Sequence, residues 1–148
     1  MQGNQRSCIL MFDGASRGNP GPAGAGAALF SENRTLLYRF RQGLGYQTNN
    51  AAEYHALILG LNQAFYKGYR NINIQGDSQL VVKQFLGEYN INNPQLRSLC
   101  QEASEIARKF RSVNVQHIPR EWNSEADAQA NRAINLGDGQ VEEERVYY

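Results

Sequence analysis

The order of elements along this chain predicts an α/β domain: a mixed five-stranded sheet flanked by helices. Three observations carry that expectation. The first apolar run, Cys8 to Phe12, is continuous and short, the pattern of a central strand covered on both faces. The first three strands follow one another through short connections, as in an antiparallel meander. The two later strands are each separated from the preceding one by helical sequence, so they should run parallel to the first through right-handed crossovers.

The elements follow in order. The first strand ends at Asp13, and the stretch Gly14 to Pro22 reads as a loop by its Gly, Asn and Pro content. Gly24 to Phe30 and Thr35 to Arg41 read as strands joined by a turn at Ser31-Glu32-Asn33-Arg34. A helix covers Ala51 to Lys67, with Leu57, Gly60/Leu61 and Ala64/Phe65 at helical spacing and Gly68 closing it. Ile72 to Gln75 is a strand that ends at Gly76-Asp77, and Ser78 to Leu86 is a second helix. Asn92, Asn93 and Pro94 open a third helix, Pro94 to Phe110. Val113 to Ile118 is the fifth strand, stopped by Pro119, and Glu125 to Leu136 is the last helix.

At 148 residues the chain fits one domain and needs no disulfide or metal staple to fold. Hydrophobic residues at 41% and charged residues at 20% exclude disordered, collagen-like and disulfide-scaffold classes. No apolar run reaches the ~20 residues of a membrane span, and the apolar run near the N-terminus is too short for a signal peptide. Two cysteines, Cys8 and Cys100, make no framework, though they would bond if the fold brought them together. The expectation is a soluble, cytoplasmic monomer. Net charge is +1, unevenly spread: Asp138, Glu142, Glu143 and Glu144 against Arg145 make the C-terminus acidic. Residues 1–137 are read as the functional domain and 138–148 as an acidic tail, with Val146-Tyr147-Tyr148 free to dock on an open edge.

Four carboxylates stand out. Asp13 ends the most apolar strand, where an unpaired buried charge costs several kcal/mol; the plain alternative is a solvated turn residue. Glu53 shares a helix stripe with Leu57, Gly60 and Ala64, which turns it toward the sheet; it also fits a capping box with Asn50 at the N-cap. Asp77 lies at the carboxyl end of a strand, where sites gather in open α/β sheets, and equally suits an N-cap. Asp127 shares a face with Ala130 and Ile134, or completes a capping box begun by Ser124. Gathered at ~5 Å, such groups repel by about 3 kcal/mol per pair at an effective dielectric of 20. Only a strong counter-charge makes the cluster tolerable. Oxygen ligands without His or Cys suit Mg²⁺ or Mn²⁺, and two such ions about 3.5–4 Å apart serve phosphodiester chemistry.

These residues resemble a family. Phe12-Asp13-Gly14-Ala15-Ser16 with Gly18-Asn19-Pro20-Gly21-Pro22 resembles the opening motif of type 1 ribonuclease H. Thr48-Asn49-Asn50-Ala51-Ala52-Glu53, Gly76-Asp77-Ser78-Gln79-Leu80-Val81 and His117-Ile118-Pro119-Arg120-Glu121-Trp122-Asn123-Ser124-Glu125-Ala126-Asp127 resemble its second, third and fourth, the last in the plant and archaeal-like form. The resemblance runs from Ser7 to Leu136. It implies the ribonuclease H-like fold and an endonuclease that hydrolyses the RNA strand of RNA/DNA hybrids with two divalent ions, leaving 5′-phosphate and 3′-hydroxyl ends. Carried over, Asp13, Glu53, Asp77 and Asp127 are the metal ligands; Asp13, at the centre of the sheet, is the best candidate to bridge both ions. Asn19, Asn49, Asn50 and Gln79 become contacts to the hybrid's minor groove, where an amide can read a 2′-OH. Thr48 is implied to hold a DNA phosphate, and either His117 or Arg120 to move protons or release product. Turn and cap chemistry is the plain alternative for the Asn residues.

The link Gly87 to Pro94 is short and holds no Lys or Arg, unlike relatives with a basic insertion there. Phosphate contacts then fall to Lys83, Arg97, Arg108, Lys109 or Arg111, each equally a solvated surface charge. Trp122 is expected to pack within its loop and His55 to lie on the surface. Two other classes stay open: a module that binds hybrid or RNA without cleaving, and another nuclease or strand-transfer enzyme of the same fold. The Gly-rich loop at 14–21 lacks the Lys-Ser/Thr of a P-loop and leads into a strand, which argues against nucleotide binding.

Overall fold

A computed structural model describes residues 6–146. Its elements are β1 (Ser7–Ser16), β2 (Gly21–Ser31), β3 (Leu36–Gln47), α1 (Asn49–Tyr66), β4 (Asn71–Gly76), α2 (Gln79–Phe85), α3 (Pro94–Ala107), β5 (Ser112–His117), α4 (Ser124–Ala133) and β6 (Val141–Arg145). The sheet order is β5-β4-β1-β2-β3-β6, with β1–β2, β2–β3 and β3–β6 antiparallel and β1–β4 and β4–β5 parallel. The five expected strands therefore stand in the expected directions, and a sixth joins them.

That sixth strand comes from the segment read as an acidic tail. It covers the edge that β3 would otherwise leave open. Arg39 lies opposite Glu144 and Arg41 opposite Glu142, and both pairs close at 2.8 Å. Lys67, at the end of α1, reaches Glu143 at 3.1 Å and lies 4.2 Å from the Tyr38 ring centroid. Val146 N donates to Leu37 O at 2.9 Å, while Tyr147 and Tyr148 lie outside the described residues.

Several boundaries differ for a common reason. β1 runs on past Asp13 to Ser16 because β2 pairs with it down to Ala23. Most of the expected Gly-rich loop is thus strand, and the turn is confined to residues 17–20. Thr48, not Asn50, caps α1 by accepting from Ala51 N at 3.2 Å. Ser78, not Asp77, caps α2 through Val81 N. Asn123, not Ser124, occupies the N-cap position of α4 and makes no side-chain cap bond there. Glu53, Asp77 and Asp127 thus make no side-chain cap bond at these helix starts.

The core follows β1's alternation. Leu10 and Phe12 join the large cluster with Tyr54, Leu57 and Leu61 of α1, whereas Met11 packs with Ala126 of α4, Ile118 and Phe30. Cys8 and Cys100 are both buried and unbonded. Burial pushes the Cys8 thiol up to about 12, so it is inert at neutral pH. No helix among the described residues is long and apolar enough to cross a membrane.

Candidate active site

The carboxyl ends of β1 and β4 lie side by side, Phe12 opposite Gly76, so Asp13 and Asp77 emerge next to each other. Glu53 arrives from the first turns of α1. Its close approach depends on Gly14: a Cβ there would lie 2.3 Å from Ala52 C and 2.4 Å from Glu53 N. Gly14 N donates to Asp13 Oδ1 at 3.0 Å and to Glu53 Oε1 at 3.1 Å, pinning both carboxylates to one backbone amide. One oxygen from each of Asp13, Glu53 and Asp77 lies within 4.8 Å of the others. Asp127 lines the same cleft of about 440 Å³, with Asn49, Ser78, Arg120 and Asn131. All four predicted carboxylates are brought together.

Their protonation reports the strain of the assembly. Burial, and then the charge of Asp77, push the Asp13 carboxyl up to about 7. Burial and the charges of Asp13 and Asp77 raise Glu53 well above the carboxylate range. Asp77 is also raised by burial, against the amide of Asn123 and the guanidinium of Arg120. Arg120 is the single cation among the described lining residues. The cluster thus lacks the counter-charge that would let its members ionise together. A hard divalent cation fits this oxygen-only donor set: Asp13, Glu53 and Asp77 would hold it, with Asp127 completing the cleft.

The remaining predicted residues divide. Asn19 is exposed, and its Oδ1 accepts from Asn49 N at 3.0 Å, tying the β1–β2 turn to the start of α1. Asn49 lines the cleft; Asn50 lies in the same helical turn and Gln79 is exposed at the start of α2. Thr48 spends its hydroxyl oxygen on the α1 cap. His117 is exposed at the end of β5, with Nε2 3.2 Å from Asp77 O, whereas Arg120 lines the cleft. Of the basic residues, Lys83 is paired with Glu88 at 2.9 Å and Arg97 donates to Ile91 O at 3.0 Å. Lys109 lies 5.7 Å from the Phe65 ring centroid, and Arg108 and Arg111 line a separate groove beside β5. Trp122 does not pack in its loop: it is 69% exposed. His55 is half-buried, and burial lowers its pKa.

Sequence reasoning missed two residues. Asn123 is fully buried; its Nδ2 donates to Phe12 O at 2.9 Å, and its backbone oxygen accepts from Asp127 N at 3.0 Å. It therefore ties α4, which carries Asp127, to the residue preceding Asp13. Its Oδ1 has no partner among the described residues. Asn131, one turn beyond Asp127, donates to its carbonyl at 2.9 Å and its carboxylate at 3.3 Å. The i, i+4 spacing of Asn131 from Asp127 was the available signal.

A mixed α/β sheet with a four-carboxylate cleft at the carboxyl ends of its central strands defines an enzyme of the ribonuclease H-like class. The family described as "Reverse transcriptase-like" matches residues 11–133. Ribonuclease HI of Halobacterium salinarum is 44% identical over 124 residues, 84% of this chain and 62% of the relative. The crystal structure of RNase H1 from the same archaeon superposes with a TM-score of 0.85 at 43% identity, covering 87% of this chain and 98% of that one. LC11-RNase H1, solved in complex with RNA/DNA hybrid, gives 0.82 at 34% identity, covering 86% and 96%. The bifunctional protein Rv2228c of Mycobacterium tuberculosis is 41% identical over 128 residues, 86% of this chain but 35% of the relative. The chain thus spans between about a third and two thirds of these two curated relatives' length. It belongs to the type 1 ribonuclease H family.

Proposed function

We propose that this chain is an endonuclease that hydrolyses the RNA strand of RNA/DNA hybrids. The observation that carries the reading is the gathering of Asp13, Glu53 and Asp77 within 4.8 Å in one cleft, with Asp127 on its wall. Family membership supplies the substrate class, and LC11-RNase H1, solved in complex with RNA/DNA hybrid, supports it. The cofactor of this reading is two Mg²⁺ or Mn²⁺ ions taken up with substrate, which would supply Lewis-acid stabilisation of charge at the phosphate. Asp13, Glu53, Asp77 and Asp127 would hold these ions, Asp13 from the centre of the sheet.

The chain's own residues do the rest. The carboxylates set position and charge and form no covalent bond to substrate. Gly14 N holds two of them, and Asn123 and Asn131 hold Asp127 in place. Water attacks the phosphate in line, and the 3′ oxygen leaves, giving 5′-phosphate and 3′-hydroxyl ends. Asn19, Asn49, Asn50 and Gln79 face the minor groove, where amides accept from or donate to a 2′-OH and so tell RNA from DNA. Thr48 approaches a DNA phosphate, and Arg120 or His117 assists proton transfer or product release. The protein works as a cytoplasmic monomer.

The test is cleavage of an end-labelled hybrid with Mg²⁺, with Mn²⁺ and with chelator, beside Asp77→Asn and beside duplex DNA, duplex RNA and a four-way junction. Metal-dependent loss of the RNA strand alone, absent in Asp77→Asn, is expected. Folded protein that binds hybrid and leaves it intact with both metals would instead be a binding module, and junction cleavage would mark a resolvase-type enzyme.

A further inference from the structure

Trp122 is the single tryptophan of the chain, and 69% of its surface is exposed. It ends one turn of 3-10 helix, Arg120–Trp122, between β5 and α4. The support is pinned. Trp122 N donates to Pro119 O and Asn123 N to Arg120 O, both at 3.0 Å. The next side chain, Asn123, is fully buried and bonded to Phe12 O at 2.9 Å. The indole stands two residues after the cleft-lining Arg120 and five before the cleft-lining Asp127. An indole buries roughly 150–250 Å² when packed. Here that surface is held out in water, on a fixed base, in the connection that runs from the cleft-lining Arg120 to the helix of Asp127.

Charge gives an independent reason for an apolar contact at this place. Arg39, Arg41 and Lys67 are paired with the glutamates of β6, and Lys83 is paired with Glu88. The link from residue 87 to 94 has no cation. Among the described residues that line the cleft, Arg120 is the single cation beside four carboxylates. Beyond the divalent ions, the cleft's lining offers a polyanionic substrate one cationic side chain, Arg120, and a contact that needs no charge gains weight.

We propose that Trp122 is a substrate-contact residue whose indole packs on the sugar–phosphate surface of the strand in the acidic cleft, beside the phosphate that is cleaved. The inference rests on the hybrid-nuclease reading above. Bases of an intact duplex are stacked inside it, so the surface offered to the indole is the C–H face of a ribose and not a base plane. A preorganised aromatic side chain gives such contact at small entropic cost.

The chain carries its own reporter. Fluorescence excited selectively in tryptophan comes from Trp122 alone. In Asp77→Asn protein with Mg²⁺, hybrid closed at both ends by hairpin loops is titrated in, and binding is followed separately by anisotropy of a label on the hybrid. Emission is expected to shift with saturation, and acrylamide quenching to fall about twofold or more. In the otherwise unaltered protein, Trp122→Ala should raise KM roughly five- to tenfold, the equivalent of one aromatic contact. Its kcat should stay within about twofold and its Tm should not move, since the side chain is not packed. Trp122→Phe should recover most of the KM. Binding by anisotropy with no change in quenching, or an unaltered KM in Trp122→Ala, would overturn the proposal alone. Protection seen only with open-ended hybrid would overturn it in favour of end stacking. No binding by anisotropy would overturn the hybrid-nuclease reading as well.

Discussion

Gly26 sits directly opposite Asp13 in the β1–β2 ladder and beneath α4. A Cβ at this position would lie 2.3 Å from Ala126 O and 2.3 Å from Ala130 N, and 2.9 Å from Gln129 C. All three atoms are helix backbone, so no side-chain rotation relieves the clash. Ordinary contact begins near 3.4 Å, so α4 must retreat by about 1 Å in Gly26→Ala. Asp127 lies between the two contact points and must move with the helix. Overpacking of this kind costs about 1–3 kcal/mol, or a fall in Tm of roughly 2–10 °C for a domain of this size. A displacement of about 1 Å in a ligand-bearing helix costs on the order of 100-fold in turnover. The assay is kcat on hybrid well below the melting transition, beside a thermal melt. Gly137→Ala is the control, because the nearest atom to its Cβ is Gln140 Oε1 at 3.6 Å. The reasoning fails if Gly26→Ala keeps kcat within twofold and melts with the parent.

Three further outcomes follow from the geometry. In chelator, Asp13, with a pKa of about 7, and Glu53, raised well above its usual range, hold protons in the folded state that the unfolded chain has released. Their contribution to stability is present at acid pH and is lost as pH rises through each raised pKa, about 7 for Asp13; His55, lowered by burial, acts in the opposite sense below its ordinary value. Melts should show Asp13→Asn flattening the loss of Tm between about pH 5 and 7.5, and Mg²⁺ stabilising the parent more at the higher pH; a parallel profile in Asp13→Asn would contradict the assignment. Deleting residues 141–148 should cost about 2–4 kcal/mol through lost ladder bonds and three partly screened ion pairs, with kcat retained in the folded fraction, and an unshifted melt would deny that β6 contributes. Asn123→Ala leaves Phe12 O without its donor, a loss of about 1–3 kcal/mol; it should also raise the Mg²⁺ concentration needed for half-maximal activity, and a change in Tm alone would reduce Asn123 to a structural role.

Five strands of the sheet, their directions and the four carboxylates were legible in the sequence, because each rests on local pattern. Cys8 to Phe12 form a short continuous apolar run, Leu57, Gly60 and Ala64 recur at helical spacing, and strands separated by helices are expected to run parallel. The four motifs stand on those elements, so their meeting at one end of the sheet was already implied. Capping was less legible. Thr48 and Ser78 outcompeted Asn50 and Asp77 because the cap is chosen by where the chain leaves its strand, which here is set by pairing with β2 and β1. Trp122 reads as a packing residue of its loop by type, yet the adjacent Asn123 took the buried position. Asn123 had no local signature, because its partner Phe12 O is 111 residues away. The tertiary structure alone decided the fate of the acidic segment. Glu142, Glu143 and Glu144 read as solvated charge until β3 presents Arg41 and Arg39, and α1 presents Lys67, along an open strand edge. Strand pairing of this kind depends on a partner some 100 residues distant, and local periodicity carries no record of it.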